Sequence, residues 1–250
     1  MAVKRLVREH HDITLVEREA SLLEHADDHP NVIRCFYHEF DKDYLFIALA
    51  LCPASLADII ERRGDFREIA DSFDPKRALH EIMSGLEYLH LLDIVHRNIN
   101  PQNILISSAK EGKSHRYRMV ISGFGLCKKL EGGETSFLPT AGSTNGGGTP
   151  GWRAPEILRW EVGSTAVNET QARRLTKSVD IFALGCVYCY YLTQGRHPFG
   201  PPHKRENNIR AEKMLLESQL AWAPLGEGGP EALDLIGSML DCRPAFRCVC

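Results

Sequence analysis

The sequence predicts an α+β fold in two parts, a small strand-rich front (residues 1–52) and a larger helical body (residues 53–250). Two observations carry it. The front alternates apolar and polar residues over Ala2–Val7 and holds two more strand-like runs, Val32–Phe40 and Tyr44–Leu51. The body switches to helical spacing, clearest in Leu79, Ile82, Met83, Leu86 and Leu89. With 43% hydrophobic and 25% charged residues over 250 positions, the chain can bury a core, and collagen-like, disordered and disulfide-scaffold classes are excluded.

Taken in order, the strand at Ala2–Val7 is followed by apolar positions 16, 20, 23 and 26 at helical spacing, ended by His29-Pro30-Asn31. The turn formers Asp41-Lys42-Asp43 join the next two strands. Asp74 reads as an N-cap with Pro75 at the first helical position, which predicts a helix over 75–91. Strands are expected at Asn103–Ser107 and Arg118–Ser122, on either side of a polar loop. Residues 131–151 hold seven glycines and almost no core formers, so they read as a loop. Late helices are expected over 176–193, 209–221 and 230–240, and no internal repeat is present.

The net charge of −3 offers no basic field for nucleic acid or an anionic membrane. The longest apolar run, Ile181–Leu192, has twelve residues, whereas a membrane crossing needs about twenty. Eight cysteines lie mostly in apolar stretches without paired spacing, which suits reduced, buried thiols. Cys186 and Cys189 sit inside that apolar run and read as helix core rather than a redox or zinc pair. Cys242, Cys248 and Cys250 lack a fourth ligand at metal-site spacing.

The chemistry concentrates in a few segments. His96-Arg97-Asn98-Ile99-Asn100-Pro101-Gln102-Asn103 resembles the protein-kinase catalytic loop H-R-D-L-K-P-x-N. Ser122-Gly123-Phe124-Gly125 resembles the D-F-G segment, and Ala154-Pro155-Glu156 matches A-P-E. Val3-Lys4 is similar to the end of the V-A-I-K strand, Glu19 stands where its helix partner belongs, and Ser178-Val179-Asp180 opens a long apolar helix. Six motifs in order imply a bilobal protein-kinase-like fold with an incomplete small lobe. Longer stretches, including Gly148-Thr149-Pro150-Gly151-Trp152-Arg153 before the A-P-E match, resemble the inositol-requiring serine/threonine kinase/endoribonuclease of the unfolded-protein response. The resemblance implies a partial small lobe over 1–52, from the Lys4 strand to the hinge. It implies a large lobe over 53–250, shortened at its last helix. The family's lumenal sensor, membrane span and ribonuclease domain have no counterpart in the sequence.

Phosphoryl transfer rests on positioning and charge neutralisation, with metal ions bridging phosphates and an aspartate orienting the attacking hydroxyl. Here the aspartate position is Asn98, which cannot take a proton, and a lost general base costs about 10²–10⁴ in rate. Asn100 replaces the loop lysine. Gly123 replaces the metal-binding aspartate, leaving Asn103 of the expected pair. The glycine-rich loop expected before Lys4 is not in the sequence. The expectation is a kinase shape with catalysis lost, a pseudokinase-type nucleotide- or partner-binding module. The alternatives are an active ATP-dependent serine/threonine kinase and a non-functional gene fragment.

The resemblance also implies the remaining roles. Leu49 is the gatekeeper, and the backbone of Ala50, Leu51 and Cys52 reads the adenine edge, which leaves ATP or ADP binding open with magnesium weak or absent. Lys4 and Glu19 form an ion pair. Arg97 answers a phosphorylated residue among Thr135, Ser136 and Thr140; an unmodified mobile loop is the competing reading. His96 and Phe124 pack, Asp180 holds catalytic-loop amides, and Glu156 pairs with Arg243, or with Arg247 if the register slips. The expected partners are the chain itself or a full-length family member, without nucleic acid or membrane contact. The expected location is cytoplasmic, or the cytosolic face of the endoplasmic reticulum within a longer protein.

Overall fold

The computed structural model describes residues 1–7, 13–108, 116–138, 147–163, 174–215 and 229–247. The chain forms two compact units, Met1–Ile94 with Pro101–Lys129, and Val95–Asn100 with Leu130–Cys250. Strands and helices are both present, in keeping with the α+β class.

In the first unit, β1 (Ala2–Val7) is followed by α1 (Ile13–Ala26), β2 (Cys35–Phe40) and β3 (Tyr44–Leu49). The three strands form an antiparallel sheet in the order β1-β3-β2. Leu45, Ile47 and Ala48 of its central strand are buried. The helix buries Ala20, Leu22, Leu23 and Ala26 on one face, as the spacing required. The expected strand Val32–Phe40 is corrected at its start. The Ile33 N–H donates to Ile121 O at 2.9 Å and the Ile121 N–H to Asn31 O at 2.8 Å, so residues 31–33 pair elsewhere and β2 begins at Cys35.

The hinge leads into β4 (Ala54–Ser55), α2 (Leu56–Glu61), α3 (Arg67–Asp71) and α4 (Pro75–Leu91). α4 begins where the sequence placed it: the Asp74 carboxylate accepts the Arg77 N–H at 3.0 Å, and Pro75 needs no N–H partner. Its inner face buries Ile82, Leu86 and Leu89. A side chain at Gly85 would meet Asn31 O at 2.5 Å, so glycine lets the 29–33 turn touch the helix backbone. After β5 (Ile94–Val95) come β6 (Ile104–Ser108) and β7 (Tyr117–Ile121), which pair antiparallel, and then β8 (Lys128–Lys129).

The second unit contains α5 (Pro155–Gly163), α6 (Ser178–Leu192), α7 (Arg205–Arg210) and α8 (Gly229–Met239). Every residue of α6 from Val179 to Leu192 is buried, which explains its near-continuous apolar sequence. Cys186 and Cys189 are free thiols in this helix; burial pushes Cys186 up, and Cys189 up to about 12. The expected helix at 209–221 is corrected. α7 ends at Arg210, Glu212 takes a φ of 56°, and the Leu215 N–H donates back to Pro198 O at 2.8 Å. Residues 216–221 lie outside the described residues, as do Thr140, Cys248 and Cys250. Among the described residues no helix is long and apolar enough to cross a membrane.

Candidate active site

The candidate residues expected from the sequence fall in both units.

In the first unit, antiparallel pairing sets Lys4 opposite Ile47. Its ammonium donates to both Glu19 oxygens, at 2.6 and 2.8 Å. The Glu19 side chain is 8% exposed and that of Lys4 40%, so the carboxylate is the buried member. Leu49 closes β3. The Ala50 N–H donates to Arg34 O at 2.9 Å, while the Cys52 thiol lies 3.8 Å from Ala50 O. Burial pushes that thiol up to about 11, so it stays a protonated donor. Among the described residues, Leu51 and Cys52 make no backbone hydrogen bond. The hinge thus keeps main-chain donors and acceptors for water or a ligand.

Asn103 and Gly123 are neighbours. Gly123 has a φ of +87°, and a Cβ built on it would lie 2.5–2.7 Å from the Asn103 Cγ, Oδ1 and Nδ2 atoms. The Asn103 carboxamide therefore occupies the space that a side chain at 123 would need. Phe124 is buried and opens a short 3-10 turn against α1.

In the second unit, Asp180 lies in the first turn of α6 and accepts the backbone N–H groups of His96 and Arg97, each at 2.7 Å. His96 is fully buried, and Arg97 takes a φ of 66°, a conformation this doubly bonded carboxylate helps to hold. The Arg97 guanidinium lies over the Phe137 ring at 5.4 Å. Ser136 faces another cation: Arg174 donates to its hydroxyl and its carbonyl, both at 2.6 Å, and Thr135 is exposed.

Asn98 is enclosed by donors. Its Oδ1 accepts the Thr149 N–H at 3.0 Å, the Thr149 hydroxyl at 2.7 Å and the Asn100 amide at 3.0 Å. Asn100 Nδ2 also donates to Thr149 Oγ1 and Asn98 O, each at 3.0 Å. The space beside these residues measures about 10 Å³, room for one water at most. The loop after Thr149 is anchored as well: Arg153 donates to Glu206 on α7 at 2.5 and 3.0 Å, and the Gly151 N–H to the same oxygen at 3.2 Å.

Glu156 meets Arg247, at 2.6 and 2.8 Å, in a buried bidentate pair. The first expectation, Arg243, is corrected to the alternative register: Arg243 folds onto Asp241 at 2.9 and 3.0 Å, in solvent. Arginine-proline spacing suggested Arg243; burial selects Arg247, whose side chain is wholly enclosed. Thr149 and Arg174 were not singled out from sequence. The only signal for Thr149 was its place in the stretch before Ala154-Pro155-Glu156.

The profile described as protein kinase domain matches residues 1–250. The chain belongs to the protein kinase family. Its relatives include the serine/threonine-protein kinase/endoribonuclease ireA of Aspergillus fumigatus, 43% identical over 99% of this chain and 22% of that protein. The human serine/threonine-protein kinase/endoribonuclease IRE2 is 41% identical, over 99% of this chain and 24% of that protein. The sensor for unfolded proteins in the ER ire1 of Schizosaccharomyces pombe is 37% identical, over 99% and 23%. The kinase domain is thus related to the inositol-requiring sensors, as the motifs implied, and spans under a quarter of the length of these three relatives. Protein kinases in general use ATP with Mg²⁺.

Proposed function

We propose that this kinase domain keeps the kinase shape without transferring phosphoryl groups, acting as a pseudokinase-type module that binds a nucleotide or a partner chain. The observation that carries the reading is Asn98. Its amide oxygen takes three donors from Thr149 and Asn100, and an amide cannot accept a proton from a substrate hydroxyl. Asn100 removes a second catalytic charge. Gly123 supplies no oxygen, and the Asn103 carboxamide fills the space beside it. Mg²⁺ asks for hard carboxylate oxygens in octahedral geometry, so this donor set does not fit the metal.

Incubation with radiolabelled ATP, magnesium and an activation-loop peptide is expected to leave no label above a protein-free blank. Magnesium-dependent incorporation that disappears in Lys4→Ala would overturn the reading. One observation favours the active-kinase alternative: the Lys4–Glu19 ion pair is closed, as catalysis requires.

From the family resemblance we further propose that the domain meets copies of itself or longer members of its family. Within a longer protein it would face the cytosol at the endoplasmic reticulum. Sedimentation of the chain alone and mixed with a relative's kinase domain tests the partner proposal; a monomer in both states would refute it.

A further inference from the structure

The outer face of the β1-β3-β2 sheet carries a charge pattern complementary to itself. An inference drawn from it rests on the reading above that the domain meets copies of itself, and adds where they meet.

Register decides which side chains share that face. Lys4, Ile47 and His38 stand in one row across the sheet, and Lys4 and His38 lie beside Glu19 and Glu24 of α1, so α1 covers their side. Alternation sends the neighbouring residues to the opposite side. There Val3, Ala48 and Tyr37 form one row and Arg5, Phe46 and Glu39 the next, with Tyr44 beyond them. Val3 is 55% exposed and Tyr37 48%, and Arg5 and Glu39 are exposed as well. The Arg5 guanidinium lies over the Tyr44 ring at 5.0 Å, so the cation stands on the face rather than off its edge. The face therefore presents an apolar and aromatic centre, with a cation on the β1 side and an anion on the β2 side.

That pattern selects both an occupant and an orientation. A two-fold axis parallel to β3 exchanges the outer strands, so β1 of each copy lies over β2 of the other. Arg5 then meets Glu39 twice, Phe46 meets Phe46, and Val3 meets Tyr37. A two-fold axis across the strands would instead set Arg5 on Arg5 and Glu39 on Glu39, and like charges in juxtaposition are costly. Packed sheets lie about 10 Å apart, a gap that arginine and glutamate side chains span from its two sides. We propose that this face packs against the same face of a second copy of the chain, about the axis parallel to β3, with an Arg5–Glu39 pair on either side of Phe46. Three short strands cover less than the about 800 Å² per partner of a standard interface, so the dimer is transient, with a dissociation constant above about 10 µM.

Sedimentation velocity of the 250-residue chain over about 10 to 500 µM tests this. Monomer should pass to dimer across that range, and less so in about 0.5 M sodium chloride. Arg5→Glu alone and Glu39→Arg alone each set like charges opposite one another and should weaken association by about tenfold or more. A mixture of the two single variants again places opposite charges at both corners, and should recover association close to that of wild type. Arg5→Glu with Glu39→Arg in one chain should do the same. A wild-type chain that stays monomeric throughout overturns this inference together with the self-association reading. Single variants that dimerise as strongly as wild type overturn the assignment of this face and leave self-association standing. A mixture and a double variant both as weak as the single variants would overturn the pairing of Arg5 with Glu39.

Discussion

Replacing Arg247 by methionine should cost the second unit a large share of its stability, and the structure sets the size of the effect. The Arg247 side chain is fully enclosed and makes four hydrogen bonds, two to the Glu156 carboxylate, one to Ser178 O at 2.9 Å and one to Asp241 O at 2.7 Å. Methionine keeps the apolar stem and leaves a carboxylate, itself only 10% exposed, without its counter-charge. Breaking one side of a buried pair costs about 3–5 kcal/mol, against a total stability of about 5–15 kcal/mol. In Glu156→Met with Arg247→Met no charge is stranded. Only the two carbonyls lose a donor, at about 1 kcal/mol each, so the double variant should be about 2 kcal/mol more stable than Arg247→Met alone. Urea unfolding followed by Trp152 fluorescence reads both differences, since Trp152 is buried in the same unit. Arg243→Met is the control, because Arg243 is exposed and pairs with Asp241 in water. An Arg243→Met midpoint shift equal to that of Arg247→Met, or a double variant no better than the single, would refute the assignment of Arg247 as the buried partner.

Three further outcomes are expected. Thr149→Val removes a hydroxyl that donates to Asn98 and accepts from Asn100, and should lower stability by about 1–3 kcal/mol while Thr149→Ser restores it; equal urea midpoints for wild type and Thr149→Val would contradict the network. Gly123→Asp must displace the Asn103 carboxamide and place a side chain at a φ of +87°, costing about 1–3 kcal/mol for the backbone, and should not create magnesium-dependent ADP binding by calorimetry; appearance of such binding would show that the site had room for a ligand carboxylate. Burial first, then the Arg205 charge, holds the His197 imidazole at about 2 rather than its ordinary 6.5. The folded chain therefore stays neutral there while the unfolded chain takes up a proton below pH 6.5. The contribution is fully present above pH 6.5 and is lost as pH falls toward 2, by up to about 1.4 kcal/mol per pH unit. His197→Gln should flatten the urea-midpoint profile between pH 7 and 5 by about 2 kcal/mol, and identical slopes in the two proteins would disprove the buried neutral state.

Much of the fold was legible because single elements carry their own signals. α4 announced itself through the Asp74-Pro75 start and a stripe of apolar residues, and both features appear in the structure. α6 was visible as an unbroken apolar run because it is buried on all sides. The errors lie where local pattern competes with distant pairing. Val32 and Ile33 look like strand residues, yet the Ile33 amide is satisfied by Ile121, far along the chain. The helix expected from 209 ends at 210, where Glu212 and Leu215 turn back toward Pro198. Neither pairing leaves a mark in the local residue order.

The candidate site divides the same way. That position 98 holds an amide, position 100 an amide and position 123 no side chain at all is written in the residue types, and their chemistry follows without coordinates. The sequence also showed the family, through motifs whose order and spacing survive these changes. Tertiary structure alone decided which groups meet. It placed Thr149 around the Asn98 oxygen, set the Asn103 carboxamide in the space beside Gly123, and chose Arg247 over Arg243 for Glu156. These partners are separated by roughly 20 to 90 positions in the chain, so no local periodicity encodes them. They are selected by burial, because a buried amide, carboxylate or guanidinium must find its hydrogen bonds within the protein.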